Sequence, residues 1–422
     1  MHVAAFTLNK KEHILIVNYD FPPNDGIGGR RWAKFAKQLA NEGYEVHVIK
    51  ANSIEGKSNS AWTKDVIHER IHVYSLPRNY PQIFSHPKAD IISKIQYRFY
   101  KYKLLLTEKG TIYDISIGWE KALLEKAQEL ISTHHIRQVM ASGAPWKMLF
   151  DVSKIKEKNP AINLIIDYRD PWLNALNYGM PALSASRRKA EEEKQTFVLN
   201  QADYVITPYA YLTAELKYWS EKNCNGKAKF EVLSHFYDPD DLVETSTASN
   251  DQLTLVYGGD LYQGLDKQLL HFRDALSRLE KTNSVLYRKL DIRVYTNKTD
   301  NTLFRNTSCV RVMPSIGKEI FNETSKAHGI LIFLSDNKKN DRTTKFFENL
   351  PARKPFIVVA EAGEVTNFVR DNKLGFVFND QQNDLEKILV DIDQKTFEFN
   401  DIFGHSVYSL ENVTRQLISF FK

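Results

Sequence analysis

Along the whole chain, short runs of β-branched and aliphatic residues alternate with amphipathic helical segments, and a chain with that rhythm folds as parallel sheet with helices on both faces. Strands are expected near His13–Val17, Glu45–Ile49, Ile71–Tyr74, Ile115–Gly118, Gln138–Ala141, Leu164–Asp167, Tyr204–Thr207 and Phe230–Leu233. The rhythm then restarts, with strands expected near Leu253–Tyr257, Ile292–Tyr295, Val310–Met313, Ile330–Leu334, Phe356–Val359 and Gly375–Phe378. Between the two sets lies Tyr237–Asn250, whose Asp, Ser and Thr content with one Pro has the composition of a linker. The expectation is an α/β protein of two doubly wound domains, 1–237 and 238–407, facing a central cleft. Ligands of such sheets bind outside the carboxyl ends of the strands. A length of 422 residues agrees, being too great for one ordinary core.

Composition excludes several classes. With 42% hydrophobic and 26% charged residues each half can bury a core, which rules out wholesale disorder. Apolar runs such as Gly329–Leu334 and Phe356–Ala360 fall far short of the ~20 residues a membrane-spanning helix needs. Met1–Lys11 lacks the apolar stretch and cleavage site of a secretion signal. Two cysteines, Cys224 and Cys309, cannot make a disulfide framework, and a reducing cytoplasm is the expected location. The net charge of +5 is a small excess of 57 basic over 52 acidic residues, and without a recognised module no nucleic-acid partner is expected.

The strand HILIV leads into NYDFPPNDGIGG (residues 18–29) and then a helix whose Trp32, Phe35, Ala36 and Leu39 recur at i, i+3, i+4 and i+7. Gly26, Gly28 and Gly29 thus sit at a strand-to-helix turn, where backbone can approach a ligand and free N–H groups favour an anion such as phosphate. A plain turn is the alternative reading. The G-x-G-G spacing, and Lys50 where a ribose-binding acid would be expected, disfavour a dinucleotide enzyme, and no P-loop motif occurs. Arg30 and Arg31 open the helix against its dipole, which makes a phosphate-contacting role attractive, whereas Lys34 and Lys37 read as a solvated face.

A second anion site is expected in NDRTTKFFENLPARKP (residues 340–355), between the strands GILIFL and PFIVV. Thr343, Thr344 and Lys345 fall at the start of a helical pattern and offer N–H groups, two hydroxyls and an ammonium to a phosphate. Glu348 follows one turn later, placed to accept hydrogen bonds from ribose hydroxyls. A Thr cap with a solvated Glu is the alternative.

Taken in order, NYDFPPNDGIGGRRWAKFAKQLANEGYEVHVI, DISIGWEKALLEKA, SGAPW, LIIDYRDPWLN, ADYVITPYAYLTAELK, FYDPDDL, LVYGGDLYQGLDKQLLHF and TTKFFENLPARKPFIVV resemble the family 4 retaining glycosyltransferases of the GT-B fold over nearly the full length. The resemblance implies two Rossmann-like domains, acceptor-side first and nucleotide-sugar-binding second, with the final helix, 408–422, packing back on the first. It implies a sugar moved from a nucleoside-diphosphate donor to a glycan or lipid-linked acceptor in surface polysaccharide or glycolipid synthesis. The donor is a substrate, and no cofactor is implied. Gly28 and Gly29 would face donor phosphates and acceptor, Arg169 and Asp170 in DYRDP would serve the acceptor site, and an Arg–Asp pair bracing the loop is the alternative.

Two departures stand out. Relatives carry two glutamates eight positions apart; Glu348 matches the second, whereas the first falls on Asn340, an uncharged amide. After the first strand of the second domain many members place an Arg and a Lys; here the stretch is GGDLYQGLDK (residues 258–267), with Gly259 leading into Asp260 at the Arg position and Lys267 as the candidate cation. Stabilising a departing diphosphate is the main electrostatic task of such a reaction, and Lys267 and Lys345 are the candidates for it. Retention by same-face attack, with the phosphate taking the acceptor proton, requires no carboxylate nucleophile, which separates this reading from a glycoside hydrolase.

No metal is expected: Asp391-Ile-Asp lies in a polar helical stretch, and His134-His135 has no Cys or His partner at zinc spacing. In Lys88–Lys109, basic residues including Arg98, Lys101 and Lys103 are interleaved with Tyr97, Phe99, Tyr100, Tyr102 and Leu104–Leu106. Such a segment can lie on an anionic membrane surface, here the inner face of a membrane; a helix covering its own sheet shows much the same pattern. The competing functions are a nucleotide-sugar epimerase of the same fold and a non-catalytic nucleotide- or glycan-binding subunit.

Overall fold

The computed structural model describes residues 12–24, 26–53, 60–84, 90–241, 252–262, 264–297, 302–379, 384–400 and 407–422. Residues 242–250 of the expected linker, Lys88 of the basic segment and the first eleven residues lie outside this set. The chain divides into two compact units, 1–234 with 414–422, and 235–413.

The first unit is built on β1 (His13–Val17), β2 (Glu45–Ala51), β3 (Ile71–Leu76), β4 (Gln138–Gly143), β5 (Asn163–Tyr168), β6 (Tyr204–Thr207) and β7 (Lys229–Val232). Among the described residues these form one seven-stranded sheet in the order β3-β2-β1-β4-β5-β6-β7, every pairing parallel. Its helices are α1 (Ile27–Asn41), α2 (Ile91–Thr107), α3 (Glu120–His134), α4 (Trp146–Lys158), α5 (Ala185–Gln201) and α6 (Ala210–Asn223). The apolar stripe read on α1 is core: Trp32, Phe35, Ala36 and Leu39 are fully buried. A continuous hydrophobic cluster joins Leu15, Val17, Ile49, Leu130, Trp146 and Trp172 beneath the helices. Residues 414–422, from the helix Leu410–Ile418 onward, complete this unit: Asn163 Nδ2 donates to Phe420 O at 2.8 Å, Gln138 Nε2 to Lys422 O at 2.6 Å, and the Lys422 ammonium meets Asp203 at 2.5 Å.

The strand expected at Ile115–Gly118 does not form. Those residues are a turn, because buried Asp114 accepts the Ser116 N–H at 2.9 Å and hydroxyl at 2.5 Å, and Gly118 takes φ +82°. The other Asp114 oxygen accepts the first amides of α4, Trp146 N at 2.7 Å and Lys147 N at 2.9 Å. A short polar side chain that can bond its own backbone outcompetes the β-propensity of the two isoleucines.

The second unit contains β8 (Leu253–Gly258), β9 (Leu290–Thr296), β10 (Val310–Pro314), β11 (Gly329–Phe333), β12 (Phe356–Val359) and β13 (Gly375–Phe378), in the order β10-β9-β8-β11-β12-β13 and again parallel throughout. Helices α7 (Asp266–Thr282), α8 (Ser284–Lys289), α9 (Ile320–Lys326), α10 (Thr344–Asn349), α11 (Glu364–Asp371) and α12 (Leu385–Asp393) cover it. One face packs Leu255, Phe272, Ile292 and Phe333, the other Ile330, Phe346, Phe347 and Val365. In both sheets the strand order reverses once, between β1 and β4 and between β8 and β11. Neighbouring loops diverge at such points and leave a crevice at the carboxyl edge.

Candidate functional site

In the first unit the loop after β1 opens at the β1/β4 reversal. A Cβ on Gly29 would lie 2.1 Å from the Asp20 carbonyl oxygen, so no other residue fits that position without moving backbone. A Cβ on Gly28 would come within 2.5 Å of Arg169 Nη1, so the absence of a side chain lets the guanidinium lie against the loop. Asn18 Nδ2 holds the loop through Gly28 O at 3.3 Å, and Arg169 Nε meets Asp170 Oδ2 at 3.2 Å. The fold thus brings Gly28, Arg169 and Asp170 together. Around them, burial raises the Asp20 carboxyl while Arg78, at 3.6 Å, and Arg169 pull it down. Burial, with Arg78 adding to it, lowers Lys50 to about 8, and its ammonium donates to Asn24 Oδ1 at 3.2 Å and Ala51 O at 2.8 Å.

Other basic residues of α1 are consumed by the unit itself. Arg31 donates to Leu233 O at 2.6 Å and Ser234 O at 2.8 Å and lies 3.4 Å from Asp167, and Arg30 stacks over Trp62 at 3.9 Å. Both members of the pair expected at a phosphate are thus engaged within the first unit. Lys34, expected on a solvated face, is 1% exposed and paired with Asp65 at 3.1 Å. The sequence reading also missed Asp167. Its Oδ2 accepts from Trp32 Nε1 at 2.7 Å and Ser142 Oγ at 2.9 Å, tying α1, β4 and β5 together two residues before Arg169. An acid inside the apolar run LIID was the available signal.

The basic segment lies on α2, and its exposed residues form a stripe. Ile91, Ile95, Phe99, Tyr102 and Leu106, at i, i+4, i+8, i+11 and i+15, are 61–88% exposed, while Ser93 and Leu104 face the protein. Arg98, Lys101 and Lys103 are exposed beside that stripe. The usual amphipathic helix hides its apolar side, whereas here apolar and basic side chains are exposed together. Among the described residues no helix is long and apolar enough to cross a membrane.

In the second unit the loop after β8 carries Gly259 and Asp260 against Lys345. Gly259 has φ +153°, and a Cβ there would lie 1.8 Å from Lys345 Nζ. The ammonium donates to the Tyr257 hydroxyl at 3.4 Å, and that hydroxyl donates to Asp260 O at 3.0 Å. Burial lowers Lys345 to about 8, the attraction of Asp260 opposing it and Lys338 reinforcing it. Asp260, at the position of the expected Arg, accepts from Asn297 Nδ2 at 2.9 Å. Thr343 stands at the N-cap of the short helix α10 without a side-chain capping bond, so the Thr-cap alternative does not hold for its hydroxyl; Thr344 follows, and Glu348 lies half-buried on the same helix.

Two predicted residues are engaged elsewhere. Lys267 pairs with Glu361 at 2.7 Å and Asp336 at 3.2 Å at an exposed position, and those bonds raise its pKa. Asn340 Oδ1 accepts the Glu364 N–H at 3.0 Å at the start of α11, and neighbouring Arg342 clamps the Glu364 carboxylate at 2.6 Å. His235 is buried in this unit, its ring 6.1 Å from that of Phe347.

Both units therefore place a glycine against a cationic side chain at the carboxyl end of the strand where sheet order reverses. Solved structures share this architecture across nearly the whole chain. Sucrose-phosphate synthase from Thermosynechococcus elongatus superposes with a TM-score of 0.65 at 13% identity, covering 97% of this chain and 98% of that one. The chain has the GT-B fold. An E. coli trehalose-6-phosphate protein bound with UDP-2-fluoro glucose gives 0.63 at 10% identity over 97% and 98% of the chains. UDP-GlcNAc 2-epimerase from Methanocaldococcus jannaschii gives 0.52 at 12% over 97% and 100%. No protein-family model matches the sequence, and no curated protein matches it. On a GT-B chain the β8 loop and α10 belong to the second unit, and the β1 loop and DYRDP turn to the first.

Proposed function

We propose that this GT-B protein is a nucleotide-sugar-dependent glycosyltransferase, of the retaining family 4 kind its motifs resemble. In this reading the second unit holds the nucleoside-diphosphate sugar and the first receives a glycan or lipid-linked acceptor. The observation that carries it is the Lys345 ammonium, enclosed beside Gly259 at the β8/β11 reversal. Departure of a nucleoside diphosphate leaves negative charge on its β-phosphate, and a preorganised cation in a desolvated place stabilises that charge far more than one in water. Lys345 is such a group, and the missing side chain of Gly259 lets the ammonium lie against the loop after β8. Thr343 and Thr344 contribute hydroxyls, and Glu348 accepts from ribose. Lys267 reaches a phosphate only by exchanging its present carboxylate partners. Arg169 and Asp170, beside Gly28 and Gly29, orient the acceptor; the departing phosphate takes the acceptor's proton as the new bond forms on the same face. The UDP-2-fluoro glucose bound to the E. coli neighbour supports the donor class.

The exposed α2 stripe supports peripheral contact with an anionic membrane, at the cytoplasmic face, where a lipid-linked acceptor would be met. Each basic residue near such a surface contributes about 1 kcal/mol. A second reading, a binding subunit without turnover, draws on Asp260 and Asn340, whose polar groups are engaged by Asn297 and Glu364.

A thermal-shift screen across nucleotides and nucleotide sugars, followed by assays of nucleoside diphosphate release, tests the proposal. A donor that raises the melting temperature and is turned over to free diphosphate supports transfer. Binding without release favours the subunit, and interconversion of the donor sugar without acceptor favours the epimerase. No shift with any donor sinks the transferase, the epimerase and a nucleotide-binding subunit alike.

A further inference from the structure

A second cluster of chemistry lies at the opposite, amino-terminal end of the first sheet. His13 opens β1, His47 is the third residue of β2, and the parallel register pairs His47 with Leu15 and with His72 of β3. Strand alternation sends all three imidazoles to the face covered by α3, the face on which Leu15, Val17, Ile49, Leu130 and Ile131 form core. The last residue of α3, His134, comes down onto the same spot, its ring 4.3 Å from that of His47 and 4.9 Å from that of His13. His13 Nδ1 and His47 Nε2 are 2.9 Å apart, and ligand nitrogens of His13, His47 and His134 all lie within 4.8 Å of one another.

Imidazoles gathered on a core face are costly unless their polar atoms are satisfied. Two ring nitrogens 2.9 Å apart either share a proton or share a cation. On a tetrahedral ion with metal–nitrogen distances of 2.0–2.1 Å, two nitrogens stand about 3.4 Å apart, a separation between the 2.9 Å of the His13–His47 pair and the 4.8 Å that bounds all three. The outer interactions also suit a ligand set. His47 uses its far nitrogen, Nδ1, on the Tyr74 hydroxyl at 3.2 Å, the kind of bond that fixes tautomer and orientation in a metal-bound histidine. His72 Nε2 is held by the Glu45 carboxylate at 2.9 Å, which keeps an anionic charge beside the cluster.

We propose that His13, His47 and His134 form a binding site for a divalent transition-metal ion of the zinc class, which ties the end of α3 to the edge of the sheet. An all-imidazole donor set suits zinc, nickel or copper, and not magnesium or calcium, which take oxygen ligands. The site stands at the amino ends of β1 and β2, whereas the candidate donor and acceptor residues stand at the carboxyl ends, so its role is structural.

The test uses the full chain without a histidine tag, stripped with chelator, then titrated with zinc by calorimetry and with cobalt by visible absorption. The expected results are one equivalent of zinc bound, a cobalt d–d spectrum of tetrahedral type, and a raised melting temperature. His13→Ala and His134→Ala, at half-buried positions, each lower zinc affinity at least tenfold, whereas His135→Asn, just outside the cluster, leaves it unchanged. Melting curves in chelator show that the variants fold. A wild-type chain that binds no stoichiometric zinc, or folded variants that bind it as tightly as wild type, overturn the proposal.

Discussion

At the scale of single residues, Lys345 concentrates the functional argument because two requirements oppose each other there. Its folded pKa, near 8, is below the ordinary 10.5, so the folded state binds this proton less well than the unfolded state. The resulting stability cost is fully present below pH 8 and is relieved as pH rises from about 8 towards 10.5. Lys345→Met should therefore stabilise the ligand-free protein at pH 7, on the order of 1–3 kcal/mol, read from urea midpoints. The same substitution should weaken nucleoside diphosphate binding at least tenfold by calorimetry; a variant that is more stable and binds as well removes Lys345 from the site. Binding an anion reverses the shift, so wild-type affinity should fall as pH rises through about 8, a dependence absent from the variant. Gly259→Ala probes the same contact from the other side. The new methyl displaces the ammonium and should weaken diphosphate binding while leaving the sheet intact by circular dichroism.

At the scale of elements, the exposed apolar stripe of α2 and the Asp114 turn make separate predictions. Ile95→Glu with Phe99→Glu should abolish flotation with anionic vesicles without changing the melting temperature, since both side chains are exposed; retained flotation ends the membrane reading. Asp114→Ala removes four hydrogen bonds, three of them to buried Ser116 and Trp146, and should cost about 2–4 kcal/mol. How much of this was legible in the sequence follows from the range of the forces concerned. Strands such as HILIV and GILIFL announce themselves by local composition, and so does the apolar stripe of α1. The Asp114 turn was misread because the β-branched Ile115 and Ile117 speak for a strand, while the bonds from Asp114 to Ser116 that decide the matter depend on side-chain placement. Lys345 and Thr343 could be read as a cationic helix start, yet the approach to Gly259 depends on sheet order. His134 had no partner at local zinc spacing, and register between separate strands supplies His13 and His47 instead. The engagement of Arg31 by Leu233 and Ser234, about two hundred positions away, was illegible for the same reason.

At the scale of the whole molecule, the division into two units separates the proposed donor site from the integrity of the first sheet. Deleting residues 414–422 exposes the surfaces that Leu417 and Phe420 cover and removes the Lys422 pair with Asp203. Melting of the first unit should drop by several degrees, whereas nucleotide binding by the second should persist; equal loss of both indicates one cooperative body. Residues 414–422 also impose an order of events on the living cell. They leave the ribosome after every residue of the second unit, so Gln138, Asn163 and Asp203 wait, unpartnered by this segment, while the rest of the polypeptide is made. Nascent protein therefore carries an unfinished first unit throughout synthesis of the second, a window in which chaperones have something to hold.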